Sequence, residues 1–191
     1  MYFKTGKILI VSAPSGSGKT TLAKFLLSQN LNLVFSVSAC SRKKRKNEID
    51  GVDYYFLEKS EFEQKIQQGD FLEWEEVYEN TFYGTLKNDV ENKLNSGKNI
   101  IFDIDVKGAL SLKNFFKKQA LAIYIDVPFE IIEKRLRGRK TEKEQEIRNR
   151  LEKIKEESVY KNKFDTIILN KNLEKSKQQI LEKASNYLKI K

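Results

Sequence analysis

At 191 residues the chain is long enough to bury a real core, and it reads as one domain with room for inserted lobes. A single cysteine, Cys40, and the absence of histidine exclude an internal disulfide, a Cys/His zinc site and any histidine-dependent nucleophilic triad. The formal charge is +9, from 36 Lys and Arg against 27 Asp and Glu, but the two signs interleave almost everywhere. Only Arg42-Lys43-Lys44-Arg45-Lys46 forms a basic cluster, so solvated helix faces account for the excess better than a nucleic-acid or membrane patch. With no charged-then-apolar leader and no apolar run near 18 residues, the expectation is a soluble, cytoplasmic protein without nucleic-acid or membrane partners.

The first element is the apolar run Ile8-Leu9-Ile10-Val11, which predicts a buried strand. The small-residue loop Ser12-Ala13-Pro14-Ser15-Gly16-Ser17-Gly18 follows. Then Lys19-Thr20-Thr21 leads into a helix carrying Leu22, Ala23, Leu26 and Leu27 at helical spacing. Strand, Gly-rich loop, Lys-Thr and helix make a phosphate-binding loop. Polyphosphate needs several backbone N–H donors aimed at one point, and Gly16 and Gly18 let the backbone come that close. The positive end of the helix dipole lies behind those donors. Lys19 is placed to reach terminal phosphates as a point charge, and the Thr20 hydroxyl to ligate Mg²⁺. Ala13 stands where the general pattern has glycine; Pro14 holds it extended, a conformation alanine adopts easily.

Leu33–Ser38 predicts a strand that runs into the basic cluster, and Asp50-Gly51 a turn before the strand 54–57. Ser60 and Glu63 form a capping box for a helix ending near Gly69. Phe71–Tyr78 reads as a strand, 80–85 as a loop carrying Tyr83-Gly84, and 87–96 as a helix closed by Gly97. The run 100–105 is an apolar strand ending in Asp103 and Asp105, and 121–125 is another. Such unalternating runs, separated by helical patterns, predict a mostly parallel sheet flanked by helices. Pro128 opens a helix through Arg137, and Gly138-Arg139-Lys140 interrupts it. Thr141 with Glu144 caps a long charged helix to about Lys161, polar enough to bridge solvent rather than join a core. A short strand at 166–169 and an amphipathic helix at 173–188 end the chain.

Acids at the end of an apolar strand sit where open α/β sheets place ligands, which makes Asp103 and Asp105 candidates. Phosphoryl transfer asks for positioned positive charge more than covalent chemistry. Arg135, Arg139 and Arg150 lie in the helical excursion, suited to a closing lid. Arg42 and Arg45, with Tyr54 and Tyr83 downstream, offer guanidinium forks and phenol hydroxyls for a monophosphate. Glu73, in Phe71-Leu72-Glu73-Trp74, is a carboxylate within an apolar strand. Such a group accepts two hydrogen bonds side by side, which fits the N1–H and N2–H edge of guanine and not adenine.

In its landmarks and their order the whole chain resembles the guanylate kinases. The resemblance runs through Ala13–Thr21, Ser36-Val37-Ser38, Arg42-x-x-Arg45, Glu48, Gly51-x-Asp53-Tyr54, Phe71–Trp74 and Tyr83-Gly84-Thr85. It continues through Asp103-Ile104-Asp105-x-x-Gly108, Arg135-Leu136-x-Gly138-Arg139, Arg150-Leu151 and Asn170. It implies an α/β P-loop nucleoside-monophosphate-kinase fold: a core at 1–36, 88–128 and 158–191, a mixed α/β GMP-binding lobe at 37–87, and a helical lid at 129–157. It implies ATP with Mg²⁺ held at Ala13, Pro14, Ser15, Gly16, Ser17, Gly18, Lys19, Thr20, Thr21 and Asn170, with Thr20 toward the metal. GMP or dGMP would be held by Ser38, Arg42, Arg45, Glu48, Tyr54, Glu73, Tyr83, Thr85, Asp103 and Asp105. Lys19, Arg42, Arg135, Arg139 and Arg150 would carry catalysis, in a monomer or weak homodimer. Lys44 replaces the family's usual proline, Lys107 its usual glutamine and Lys171 a common acid.

A non-catalytic module of the same fold would typically lose the phosphate loop or the lid arginines, and both are intact here. A nucleic-acid binder would pair the 42–46 cluster with an aromatic platform, and none accompanies it. A sibling kinase for another acceptor is separable by comparing GMP, dGMP, AMP and UMP.

Overall fold

Five consecutive residues with no solvent exposure, Ile8–Ser12, form strand β1 at the middle of the structure. The computed structural model describes residues 6–14, 16–138 and 144–189. Five strands make the main sheet in the order β2-β7-β1-β8-β9. Beside β1 these are β2 (Leu33–Phe35), β7 (Asn99–Ile104), β8 (Ala120–Asp126) and β9 (Thr166–Leu169). Every pairing is parallel, as the apolar runs predict. Helices cover both faces. Leu9, Val11, Ile101, Ile123 and Ile125 pack against α1 (Lys19–Leu27) and α7 (Leu173–Leu188). Ile8, Ile10, Ile100 and Phe102 pack against α3 (Lys87–Asn95) and α4 (Val106–Phe116). The strand-to-helix junctions after β1 and β7 therefore open on one end of the sheet, where ligands bind in this architecture.

A second, mixed sheet in the order β4-β3-β6-β5 lies between β2 and α3 in sequence. It comprises β3 (Ala39–Cys40), β4 (Tyr55–Phe56), β5 (Phe71–Tyr78) and β6 (Thr81–Leu86). Its own apolar nucleus is Ala39, Phe62, Phe71 and Phe82, with Phe62, on α2 (Lys59–Gln68), stacked on Phe71 at 4.4 Å between centroids. Two expectations are corrected here. The segment 80–85 is a strand, not a loop: Asn80 takes φ 59° in the turn, and Thr81 to Leu86 pair back onto β5. Gly84 suits a strand because a Cβ there would lie 2.9 Å from Glu73 O, Phe71 Cδ1 and Trp74 Cβ, so only hydrogen lets the two strands approach. The helix at 59–68 starts two residues earlier than its capping box requires. Glu58, extended at ψ 150°, occupies the cap without a side-chain bond, and Ser60 is already inside the first turn.

Helices α5 (Phe129–Gly138) and α6 (Glu144–Ser158) form the remaining excursion. The charged α6 is not merely solvent-bridging. Ile147, Leu151 and Ile154, at i, i+4 and i+7, pack on Val127, Ile132 and Leu136 to make a small apolar nucleus. The predicted cap at Thr141 lies outside the described residues. Among those described, no helix is long and apolar enough to cross a membrane.

Candidate active site at the phosphate loop

Between β1 and α1 the loop turns on Gly16 and Gly18, at φ 82° and 86°, left-handed values that glycine adopts without strain. Gly18 caps α1 without a side-chain bond, so the first amides of the helix keep no internal side-chain acceptor. The Ser17 carbonyl accepts from Asn170 Nδ2 at 2.8 Å and from Arg135 Nη1 at 3.4 Å, tying the loop to the end of β9 and to α5. Lys19 is ion-paired to Asp103 at the end of β7. Asp105, two residues on, caps α4 by accepting from the Gly108 amide at 2.9 Å.

Two cavities flank the Lys19–Asp103 pair. One, of about 310 Å³, is lined by Ala13, Lys19 and Asp105 from the core and by Arg150, Lys153, Ile154 and Glu157 from α6. The other, of about 350 Å³, is lined by Thr20, Lys24 and Asp103 and by Ser38, Asp53 and Tyr54 from the second sheet's side. Thr20 and Asp103 are hard oxygen donors on one wall, and among the described residues no cluster of three or more acidic, Cys or His side chains competes with them. That donor set fits Mg²⁺, which keeps several waters and takes few protein ligands alongside phosphate oxygens.

Beyond the second cavity, Arg42 gathers the side chains expected at a monophosphate. Its fork donates to both Glu48 oxygens at 2.6 Å, and its Nε donates to the Tyr83 hydroxyl at 3.1 Å. The guanidinium lies 4.9 Å from the Tyr54 ring centroid and 5.4 Å from that of Phe56. The bidentate bond raises the Arg42 pKa further and holds Glu48 down at about 2; the Arg45 amide, donating at 2.8 Å, adds to the latter. Asp53 and Asp50 accept from the amides of Ile49 and Phe56, which folds the intervening loop around Glu48 and Tyr54.

Glu73 on β5 accepts from the Thr85 hydroxyl on β6 at 2.5 Å. Burial pushes its carboxyl up to about 7, against the pull of that hydrogen bond, and the negative charges of Asp105 and Glu75 add to the rise. Its second oxygen faces Gly108, where a Cβ would lie 3.3 Å away, so the acceptor is left room by the α4 backbone.

Of the residues singled out from sequence, Ala13, Lys19, Asp105 and Arg150 share one cavity, and Thr20, Ser38, Tyr54 and Asp103 the other. Arg42, Glu48, Tyr54 and Tyr83 form one network, and Glu73 with Thr85 another. Pro14 and Ser17 are hydrogen-bonded within the loop, and Thr21 is exposed on α1. The Arg45 side chain is exposed, only its amide joining the network. Ser15 and Arg139 lie outside the described residues. Sequence reasoning missed Lys153 and Glu157; the spacing Arg150, Ile154, Glu157 puts all three on one helical face, so the signal was there. Of the unusual lysines, Lys107 lies 3.6 Å from Glu75, and Lys44 and Lys171 are exposed.

Comparison with known proteins extends along the same path. The guanylate kinase family model matches residues 5–187. A guanylate kinase of Bacteroides thetaiotaomicron is 45% identical over 185 residues, covering 96% of this chain and 91% of its own length. One of Chlorobium chlorochromatii is 48% identical over 170 residues, covering 88% and 89%. Among solved structures, the guanylate kinase of Anaplasma phagocytophilum superposes with a TM-score of 0.76 at 29% identity, over 98% of this chain and 88% of that one. Because the agreement spans the phosphate loop, the second sheet and the C-terminal helix alike, the chain belongs to the guanylate kinase family.

Proposed function

We propose that the protein transfers the γ-phosphoryl group of ATP to the phosphate of GMP or dGMP. The observation that carries this reading is the pair of cavities on either side of Lys19 and Asp103, one faced by the arginine-bearing helix α6 and the other by the Ser38–Tyr54 segment. Two nucleotides entering from those sides would meet with their phosphates at Lys19. The attacking group is already an anionic phosphate oxygen, so no general base is required. Alignment and positive charge carry the acceleration.

On this reading 37–87 is the lobe that holds GMP, 129–157 is the lid, and the rest is the core. The phosphate-loop amides, Lys19 and Thr21 hold the ATP phosphates, with Asn170 beside the base. Arg42, Arg45, Tyr54 and Tyr83 hold the GMP phosphate, with Glu48 setting the Arg42 fork. Ser38, Glu73, Thr85 and Asp103 recognise guanine, with Asp105 alongside. Arg135, Arg139 and Arg150 neutralise charge on the transferred group. Thr20, with the ATP phosphates, would hold Mg²⁺, which would supply further charge neutralisation there. Closure of lobe and lid excludes water, so that transfer outcompetes hydrolysis. On the same reading the protein is a cytoplasmic monomer or weak homodimer.

Coupled ADP release with GMP, dGMP, AMP and UMP as acceptors tests this directly. GMP and dGMP should turn over, AMP and UMP at least a hundredfold more slowly, because a site built to hydrogen-bond an edge rejects one lacking it. Lys19→Ala should abolish turnover and leave the far-UV circular dichroism unchanged. Silence with GMP at high enzyme concentration would overturn the proposal.

A further inference from the structure

Tyr124, on β8, has no exposed surface, and its hydroxyl has no hydrogen-bond partner among the described residues. A buried donor left unmade is costly, and such groups are rare enough to need a reason. Tyr124 lines a cavity of about 440 Å³ beneath the two helices of the excursion, walled also by Ile154 and Ser158 of α6 and by Pro14 of the phosphate loop. Ile154 also walls the cavity that holds Lys19 and Arg150, and Glu157 lies on that same helical face. Glu157 and Ser158 thus straddle the partition between the two spaces, the carboxylate on the phosphate side and its neighbour on the tyrosine side.

Burial raises the Tyr124 pKa, and the negative charges of Asp126 and Glu157 add to the rise. Asp126 is engaged by Lys161 at 3.2 Å. Among the described residues, the one ion pair of Glu157 is at 3.8 Å to the exposed Lys153, although its own side chain is just 12% exposed. Burial, together with Asp105 and Glu75, raises its carboxyl, against the pull of Lys153 and Lys107. A carboxylate lining that cavity opposes incoming phosphate.

We propose that Tyr124 is a positioning residue for nucleotide binding: when phosphates fill the cavity, Glu157 withdraws across the partition and accepts the Tyr124 hydroxyl, which takes its negative charge away from the phosphates and fixes α6 over the core. The inference rests on the reading of α6 as a lid over the phosphates. It explains two otherwise separate features, an unpaired buried phenol and a half-buried anion among phosphate-binding cations. It also differs from a purely structural role, because the bond forms only in the occupied state.

Tyr124→Phe is the test, measured on the full chain with and without ATP–Mg²⁺. The melting temperature without nucleotide should be unchanged or higher, since an unmade polar group is removed. ATP affinity, read by calorimetry, should weaken about tenfold, the size of one hydrogen bond to a charged group. Glu157→Gln keeps an acceptor and sheds the charge, so it should bind ATP as tightly as the parent or tighter, whereas Glu157→Ala loses the bond but also the opposing charge, so it should bind ATP more tightly than Tyr124→Phe. The double variant Tyr124→Phe/Glu157→Ala should be no weaker than either single one. Unchanged ATP affinity in Tyr124→Phe, or additive losses in the double variant, would overturn the proposal while parent GMP turnover leaves the functional reading standing. A parent that neither binds ATP nor turns over GMP would remove both.

Discussion

The carboxyl of Glu73 sits where burial favours its protonated form, yet the N1–H and N2–H donors of guanine call for the ionised one. With its carboxyl raised to about 7, acceptor binding should tighten as pH rises from about 6 to 8, with KM for GMP falling and the inflection near 7. Glu73→Gln should cut kcat/KM for GMP at least a hundredfold and flatten that component of the profile, because a mismatched amide donor replaces an acceptor. Linkage gives the opposite sign for the ligand-free fold. A carboxyl raised above its unfolded value stabilises the fold below about pH 4.5, and that contribution is lost as pH climbs through 7. At pH 8 the ionised group therefore costs the empty fold up to about 3 kcal/mol. Glu73→Gln should raise the ligand-free melting temperature more at pH 8 than at pH 5. The Glu73 carboxylate was legible in its apolar setting; Thr85 entered only through family resemblance, and their hydrogen bond was not foreseen, because twelve residues and a hairpin separate them.

That hairpin shows which elements a sequence discloses and which it hides. β1, β5, β9 and α7 stand at their predicted places, since apolar runs and a 3.6-residue period report burial directly. β6 was hidden because Tyr83-Gly84 looks like a turn until the partner strand is known, and the same glycine is what allows that partner to come close. Gly84→Ala should accordingly cost about 1–3 kcal/mol through overpacking against Phe71 and Trp74. At this chain length that is a drop of about 3–10 °C in melting temperature, checked by calorimetry. Guanine recognition should suffer with it, since Glu73 and Thr85 flank the same contact. In α6 the apolar stripe was present but outnumbered by charge, so its packing on α5 became evident only with the partner helix in place.

Across the molecule, the apolar interior is divided: two large clusters on the faces of the main sheet, and two small ones, inside the second sheet and between α5 and α6. Fold class and nucleotide chemistry were legible because a phosphate loop and strand-terminal acids are local in sequence. The grouping of Arg42 with Tyr54 and Tyr83 was suggested by their chemistry, whereas Glu48 entered only through family resemblance, since no periodicity joins it to the Arg42 fork. Nuclei of four or five side chains, beside a fully enclosed β1, imply a hierarchy of local melting. Amide hydrogens of β1, β7 and β8 should exchange only through global unfolding, while those of β3–β6 and α6 exchange through cheaper partial openings. An analogue joining adenosine and guanosine through a polyphosphate should slow the latter group far more than the former, as read by mass spectrometry. On the proposed function, the small interiors would leave the peripheral units loose enough to admit two nucleotides, and the substrates themselves would become the missing part of those cores.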